Sequence, residues 1–173
     1  MAVKHNNSPD LKPVFEPGLH VYSTKAAFCL EPLQHGSDND LTGMATSLAT
    51  VQIALSVTPR EYDWANKLVV KLNLVEMMSL MGVFRGKLKR VEFVRRDKAG
   101  KIKTFVLEDQ TGNYYAQFKS ATGYAVKIPN MEGASIALLL LRLLCSHYPG
   151  IAAGIVLAEV DYACARNALS GDA

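Results

Sequence analysis

The chain has 173 residues, 49% of them hydrophobic and 20% charged, with a formal net charge of +3. That length fits one domain, and that apolar content fits a real core. The net charge alone is too small to argue for nucleic acid, and the one long apolar run, Ala134 to Leu144, is roughly half of the ~20 residues a bilayer needs and contains Arg142. No membrane span is expected.

Taken in order, Met1 to Gly18 carries Pro9, Pro13 and Pro17 among polar residues and is expected to be a flexible N-terminal arm, residues 1–18. His20 to Leu30 alternates and reads as the first strand, with Tyr22, Thr24, Ala26 and Phe28 on one parity. Ala26 and Ala27 are unusual strand residues. Their small side chains admit a close backbone or nucleotide, or they accommodate packing inside the sheet. Leu33 to Asn39 reads as a polar turn. Leu41 to Thr58 reads as a second strand, a bend near Ser47, and a third strand at Val51, Ile53, Leu55 and Val57, closed by Pro59.

Arg60 to Gly82 is the most informative stretch. Tyr62-Asp63-Trp64 is an aromatic turn that holds the chain's single Trp. Leu68, Val69, Val70 and Leu72 form a short strand between and beyond Lys67 and Lys71. Leu74, Met77, Met78 and Met81 then switch to helical spacing. Asn73 suits the N-cap, Glu76 can close a capping box, and Gly82 is expected to stop the helix.

Lys89 to Arg96 and Ile102 to Leu107 read as a hairpin around Asp97-Lys98-Ala99-Gly100. Tyr114 to Lys119 and Tyr124 to Ile128 read as another around Ala121-Thr122-Gly123. Pro129-Asn130 opens a second helix carrying Ile136, Leu139, Leu140, Leu143 and Leu144, with an apolar face wider than one packed side needs. Pro149-Gly150 ends it. Ile151 to Leu169 is Ala-rich and reads as a third helix. The pattern predicts an α+β class: two antiparallel four-stranded sheets packed together with helices at one end, β4-α-β4-α. Residues 19–150 would be the domain and 151–173 a C-terminal helical extension.

Enzymatic signatures are wanting. Gly82-Val83-Phe84-Arg85-Gly86-Lys87 has three residues between its glycines where a phosphate loop has four, follows a helix, and is followed by Leu88 where Ser or Thr is needed. Hydrolase motifs and Cys-x-x-Cys are absent. Glu61, Asp63 and Glu76 are better explained as turn and cap residues than as a two-metal set. His5, His20, His35 and His147 are scattered, so no metal or other cofactor is expected. Cys29, Cys145 and Cys164 are odd in number without metal spacing, which suits thiols in a reducing compartment. Met1 to Pro13 is polar, so a secretory signal is not expected.

Binding has more support. Arg85, Lys87, Lys89, Arg90, Arg95, Arg96, Lys98, Lys101 and Lys103 lie in one stretch against only Glu92 and Asp97. That is either a solvated hairpin or a grip on a phosphate backbone. Cations alternate with aromatics along the strands: Lys25 near Phe28, Lys67 near Trp64, Arg95 near Phe93, Lys103 near Phe105, Lys119 near Phe118, Lys127 near Tyr124. Single-strand binding needs cations for phosphates and flat faces for bases. Phe93 and Phe105 read as core; Tyr62, Trp64, Tyr114 and Tyr115 flank turns and are better placed for exposure.

Two stretches also carry a resemblance. Tyr62-Asp63-Trp64 with its following strand and helix, and Ser23-Thr24-Lys25-Ala26-Ala27-Phe28-Cys29-Leu30-Glu31-Pro32 upstream, resemble the paired signature of the Whirly family of single-stranded-DNA-binding proteins. Weaker similarity runs to about Pro149. The chain departs at Ser23, where the family has a lysine. The resemblance implies a homotetramer assembled through helices, with single-stranded DNA lying along the sheets, and it places Lys25, Tyr62, Trp64, Lys67 and Lys71 at motif positions.

The combined expectation is a non-enzymatic protein. It would bind single-stranded DNA with little sequence preference, in replication, recombination or repair. The expected interface is Lys25, Phe28, Tyr62, Trp64, Lys67, Lys71, Arg95, Lys103, Tyr114 and Lys119. The compartment would be the bacterial cytoplasm and nucleoid, or an organelle matrix for a processed form. An RNA-binding and annealing protein of the same fold, or an interaction module without nucleic-acid binding, are the alternatives.

Overall fold

Alternating side chains along the strands give each sheet one apolar face, and the two helical periodicities that follow supply the lids. The computed structural model describes residues 18–33, 48–96, 100–119 and 123–170. The arm expected over 1–18 lies outside them apart from Gly18. So do most of the turn expected at 33–39, the second strand expected from Leu41, and the hairpin tips at 97–99 and 120–122.

The first sheet contains β1 (Leu19–Tyr22), β2 (Ala26–Pro32), β3 (Ala49–Thr58), β4 (Glu61–Tyr62) and β5 (Leu68–Leu72). All pairings are antiparallel, with β2 beside β1 and β3, and with β3 carrying both β4 and β5 along its other edge. The second sheet is the meander β6 (Arg90–Arg96), β7 (Ile102–Asp109), β8 (Asn113–Lys119) and β9 (Tyr124–Pro129). Helices α1 (Leu74–Phe84), α2 (Asn130–His147) and α3 (Ala153–Ser170) complete the α+β fold. The two-residue β4 makes the first sheet five-stranded, where four strands were expected.

The inner faces meet where β9 approaches β2 and β3. Phe28, Leu30, Val51 and Ile53 from the first sheet share one core with Phe105, Leu107, Phe118 and Ile128 from the second. Burying each such side chain contributes about 1.5–3 kcal/mol. Helix α1 packs on β6 and β7, α2 on β1, β8 and β9, and α3 on α1 and α2.

Helix α1 begins as its sequence dictates. The Asn73 side chain accepts from the Glu76 N–H at 2.9 Å, and the Glu76 carboxylate accepts from the Asn73 N–H at 3.0 Å. Its end differs from expectation. The helix runs through Gly82 to Phe84, and the left-handed residue is Gly86, at φ 68°. The Gly86 and Lys87 N–H groups close the last turn on the Val83 and Gly82 carbonyls. Gly82 is buried, and its missing side chain makes room for Cys164 of α3.

The expected single strand His20 to Leu30 is instead a hairpin. Its tight turn forms where both the Ser23 N–H (3.0 Å) and Oγ (2.9 Å) donate to the Ala26 carbonyl. The reversal pairs Tyr22 with Ala27 and His20 with Cys29.

Candidate nucleic-acid interface

The outer face of the first sheet has a small-residue floor and an aromatic border. Ala27 and Ala54 are partners across β2 and β3, and Cys29 pairs with Gln52 one row further. Above them lies a chain of rings. His20 stacks parallel to Tyr22 at 5.9 Å and meets the edge of Trp64 at 5.1 Å, and Tyr22 lies 5.3 Å from Tyr62. The Tyr62 hydroxyl donates to the Ser23 carbonyl at 2.7 Å, which ties β4 to the β1–β2 turn. The turn at Trp64 is held by the Asp63 carboxylate, which accepts from the Asn66 N–H and side-chain amide.

Cys29 faces His20, Sγ to Nε2 3.6 Å. Burial, with Glu31 adding and Lys67 opposing, pushes the Cys29 thiol up to about 11, so it stays protonated at neutral pH and can donate to the imidazole.

The β1–β2 turn, Tyr22 to Lys25, stands between two open clefts. One, of about 800 Å3, lies between this turn and the β3–β4 turn, with Lys25 and Arg60 among its walls. The other, of about 620 Å3, lies between this turn and the outer face of the second sheet, where Asn113 and Tyr115 of β8 and Lys127 of β9 line it. A continuous surface thus runs from the aromatic border, over the turn, onto the second sheet.

The expected interface residues divide between this surface and the fold. Lys25 and Lys71 are exposed, and Tyr62, Trp64 and Lys67 are half-buried, all along the outer side of the first sheet or its turns. Lys119 is exposed at the end of β8. Phe28 is a correction: its parity on β2 points it inward, and it is 2% exposed. Tyr114 also points inward. It packs edge-on against Phe84 at 4.8 Å, donates to the Phe84 carbonyl at 3.2 Å, and leaves no room for a Cβ at Gly133. Burial, then the Asp109 charge, raises its phenol pKa. Arg95 reaches back to α1, bonding the Glu76 carboxylate and the Lys71 carbonyl. Lys103 is its cross-strand partner and is half-buried.

Sequence reasoning missed His20, Tyr22 and Arg60 as members of this surface. The signal for the first two was a switch of apolar parity, from Leu19 and Val21 before Ser23 to Ala26, Phe28 and Leu30 after it.

Among the described residues, no three His, Cys, Asp or Glu side chains gather as a metal ion would need, and no helix is long and apolar enough to cross a membrane.

No family model matches the sequence, and no curated protein matches it. Solved structures do. WHY3 from Arabidopsis thaliana superposes with a TM-score of 0.59 at 23% identity, covering 78% of this chain and 89% of that one. WHY1 from the same plant gives 0.61 at 21%, over 78% and 86%. The plant transcriptional regulator PBF-2 gives 0.60 at 20%, over 78% and 83%. These are Whirly proteins, and at such identities what is shared is the architecture: this chain has the Whirly fold.

Proposed function

We propose that this chain binds single-stranded nucleic acid, DNA foremost, with little sequence preference and without catalysing a reaction. The observation that carries the reading is the surface around the β1–β2 turn, which sets Lys25, Arg60, Lys67 and Lys127 beside Tyr22, Tyr62, Trp64 and Tyr115. Rings offer stacking at ~1–3 kcal/mol per base, and the cations take phosphates; neither reads sequence. The shared architecture with Whirly proteins supports the same reading, as do the two sequence stretches that resemble their signature. Protection of exposed strands in replication, recombination or repair is the role such binding serves. Three free thiols fit a reducing compartment, cytoplasmic or organellar.

We further infer a homotetramer. Met131 and Leu138 on α2 are 79% and 68% exposed, and Val75 on α1 is 65% exposed. Helical faces of this kind are what a self-association interface covers. Light scattering is expected to give about four times the chain mass; a monomer at micromolar concentration would refute it.

The test of binding is affinity for oligothymidylate, duplex DNA and RNA of matched sequence at two salt concentrations. Single strands should win over duplex, DNA over RNA, and affinity should fall linearly on log axes with salt. Tighter RNA binding would transfer the role to an RNA-binding and annealing protein. Trp64→Ala should weaken binding by ~1–3 kcal/mol, about 5- to 150-fold, with the fold intact. A lowered melting temperature and unchanged affinity would make the indole structural.

A further inference from the structure

The turn between β3 and β4 is Thr58-Pro59-Arg60-Glu61, closed by the pairing of Thr58 with Glu61. Proline in second place is ordinary for such a turn. The third residue is not. Arg60 has φ 71°, a left-handed conformation that Gly or Asn adopts with least strain. Thr111, at φ 35°, is the other described non-glycine residue with positive φ. Strain of this kind persists where the surrounding structure over-determines it, and it clusters at ligand clamps and active sites.

The place is the mouth of a cleft. Arg60 and Lys25 both line the space between the β1–β2 and β3–β4 turns, together with Thr24; the Ser23 and Ser56 hydroxyls there donate to the Ala26 and Thr58 carbonyls. The neighbouring carboxylate, Glu61, is held by the Thr58 hydroxyl at 2.7 Å. Among the described residues, the salt bridges engage Arg85, Lys87, Lys89, Arg90 and Arg95, and neither Lys25 nor Arg60. Two cations at one opening suit an anion with several oxygens. A guanidinium adds a planar fork that matches a phosphate in two bonds.

We propose that Arg60 is a phosphate clamp: together with Lys25 it grips one phosphate of the bound strand as the strand crosses the β1–β2 turn. The proposal rests on the nucleic-acid reading above. It explains why an arginine occupies a turn position made for glycine.

The test exploits that conflict between local strain and function. Arg60→Gly removes the guanidinium and relieves the backbone, so its melting temperature should equal or exceed that of the parent. Its affinity for oligothymidylate at low salt should fall roughly 3- to 30-fold, and its log–log salt slope should become shallower by about 0.7, the loss of one phosphate contact. Arg60→Lys should keep the slope and lose part of the affinity, because it retains charge without the fork. Parental affinity and slope in Arg60→Gly would overturn the clamp and leave the binding function standing. A melting temperature several degrees lower, with affinity lost in parallel, would assign Arg60 to the turn's structure and likewise overturn it. Failure of the parent chain itself to bind would overturn both readings.

Discussion

Two regions of this molecule are basic, and they use their charge differently. Residues 85–103 are dense in Lys and Arg, yet the structure engages most of those groups inside the chain. Arg85 makes two 2.9 Å hydrogen bonds to Asp161, Lys87 joins the same carboxylate at 3.5 Å, Lys89 pairs with Asp109 at 3.4 Å, and Arg90 and Arg95 pair with Glu92 and Glu76. The β1–β2 and β3–β4 turns hold only Lys25 and Arg60, but both line an open cleft beside aromatic rings. Charge density along a sequence therefore says little about charge available to a ligand. Partners such as Asp161, 76 positions from Arg85, decide it.

The largest effect that would sharpen this contrast lies beneath the turns. Phe28 sits on the same strand as the motif residues but faces the core. Phe28→Ala should cost ~3–5 kcal/mol of stability, read by denaturant unfolding, while the folded fraction binds as before. Full stability with lost affinity would return Phe28 to the interface.

Next comes Glu76, the α1 carboxylate that engages Arg95 of the basic stretch. Glu76 closes the α1 capping box and pairs with Arg95. Glu76→Ala should destabilise by ~1–3 kcal/mol, combining a lost cap with a stranded cation. Affinity should hold or rise, since Arg95 is released. A drop in affinity at unchanged stability would break the division drawn here.

These elements also show what could be read from the sequence. The cap of α1 was legible because its groups lie three residues apart and bond only to one another. The helix end was not, because two glycines competed; the apolar spacing through Val83 and Phe84 carries the helix past Gly82 to Phe84, and Gly86 supplies the left-handed residue beyond it. The β1–β2 hairpin was hidden because Ser23-Thr24-Lys25 lacks the usual Gly, Pro, Asn or Asp of a turn. At the candidate interface, Lys25 and Tyr62–Trp64 were picked out by local pattern and by the family resemblance, with Lys25 expected in a strand and found in the β1–β2 turn. The inward turn of Tyr114 and Arg95 was not, because it depends on where α1 and α2 settle.

Salt dependence compares the two regions directly. Lys25→Ala should shorten the log–log slope of single-strand binding by about 0.7. Lys89→Ala should leave it unchanged, because its ammonium already faces Asp109. Equal slopes for the two variants would mean that the basic stretch contributes to the interface as much as the turns do.

The smallest effect concerns the ion pair that anchors α3. Hydrogen bonding to Arg85, aided by the Arg85 and Lys87 charges, holds the Asp161 carboxyl below the usual carboxylate range despite some desolvation. A carboxyl with a depressed folded pKa stabilises the fold fully above its unfolded pKa, ~3.9. That contribution disappears as pH falls through the lower folded value. Both side chains are about 30% exposed, so solvent screens the pair and its worth is ~0.5 kcal/mol. Asp161→Asn should therefore melt roughly 1–2 °C lower than the parent at pH 7. The gap should narrow in high salt and close in acid, below the ordinary carboxylate pKa. If this variant instead bound oligothymidylate more tightly at pH 7, the released Arg85 and Lys87 would have joined the interface, and the separation of structural from binding cations would rest on α3 alone.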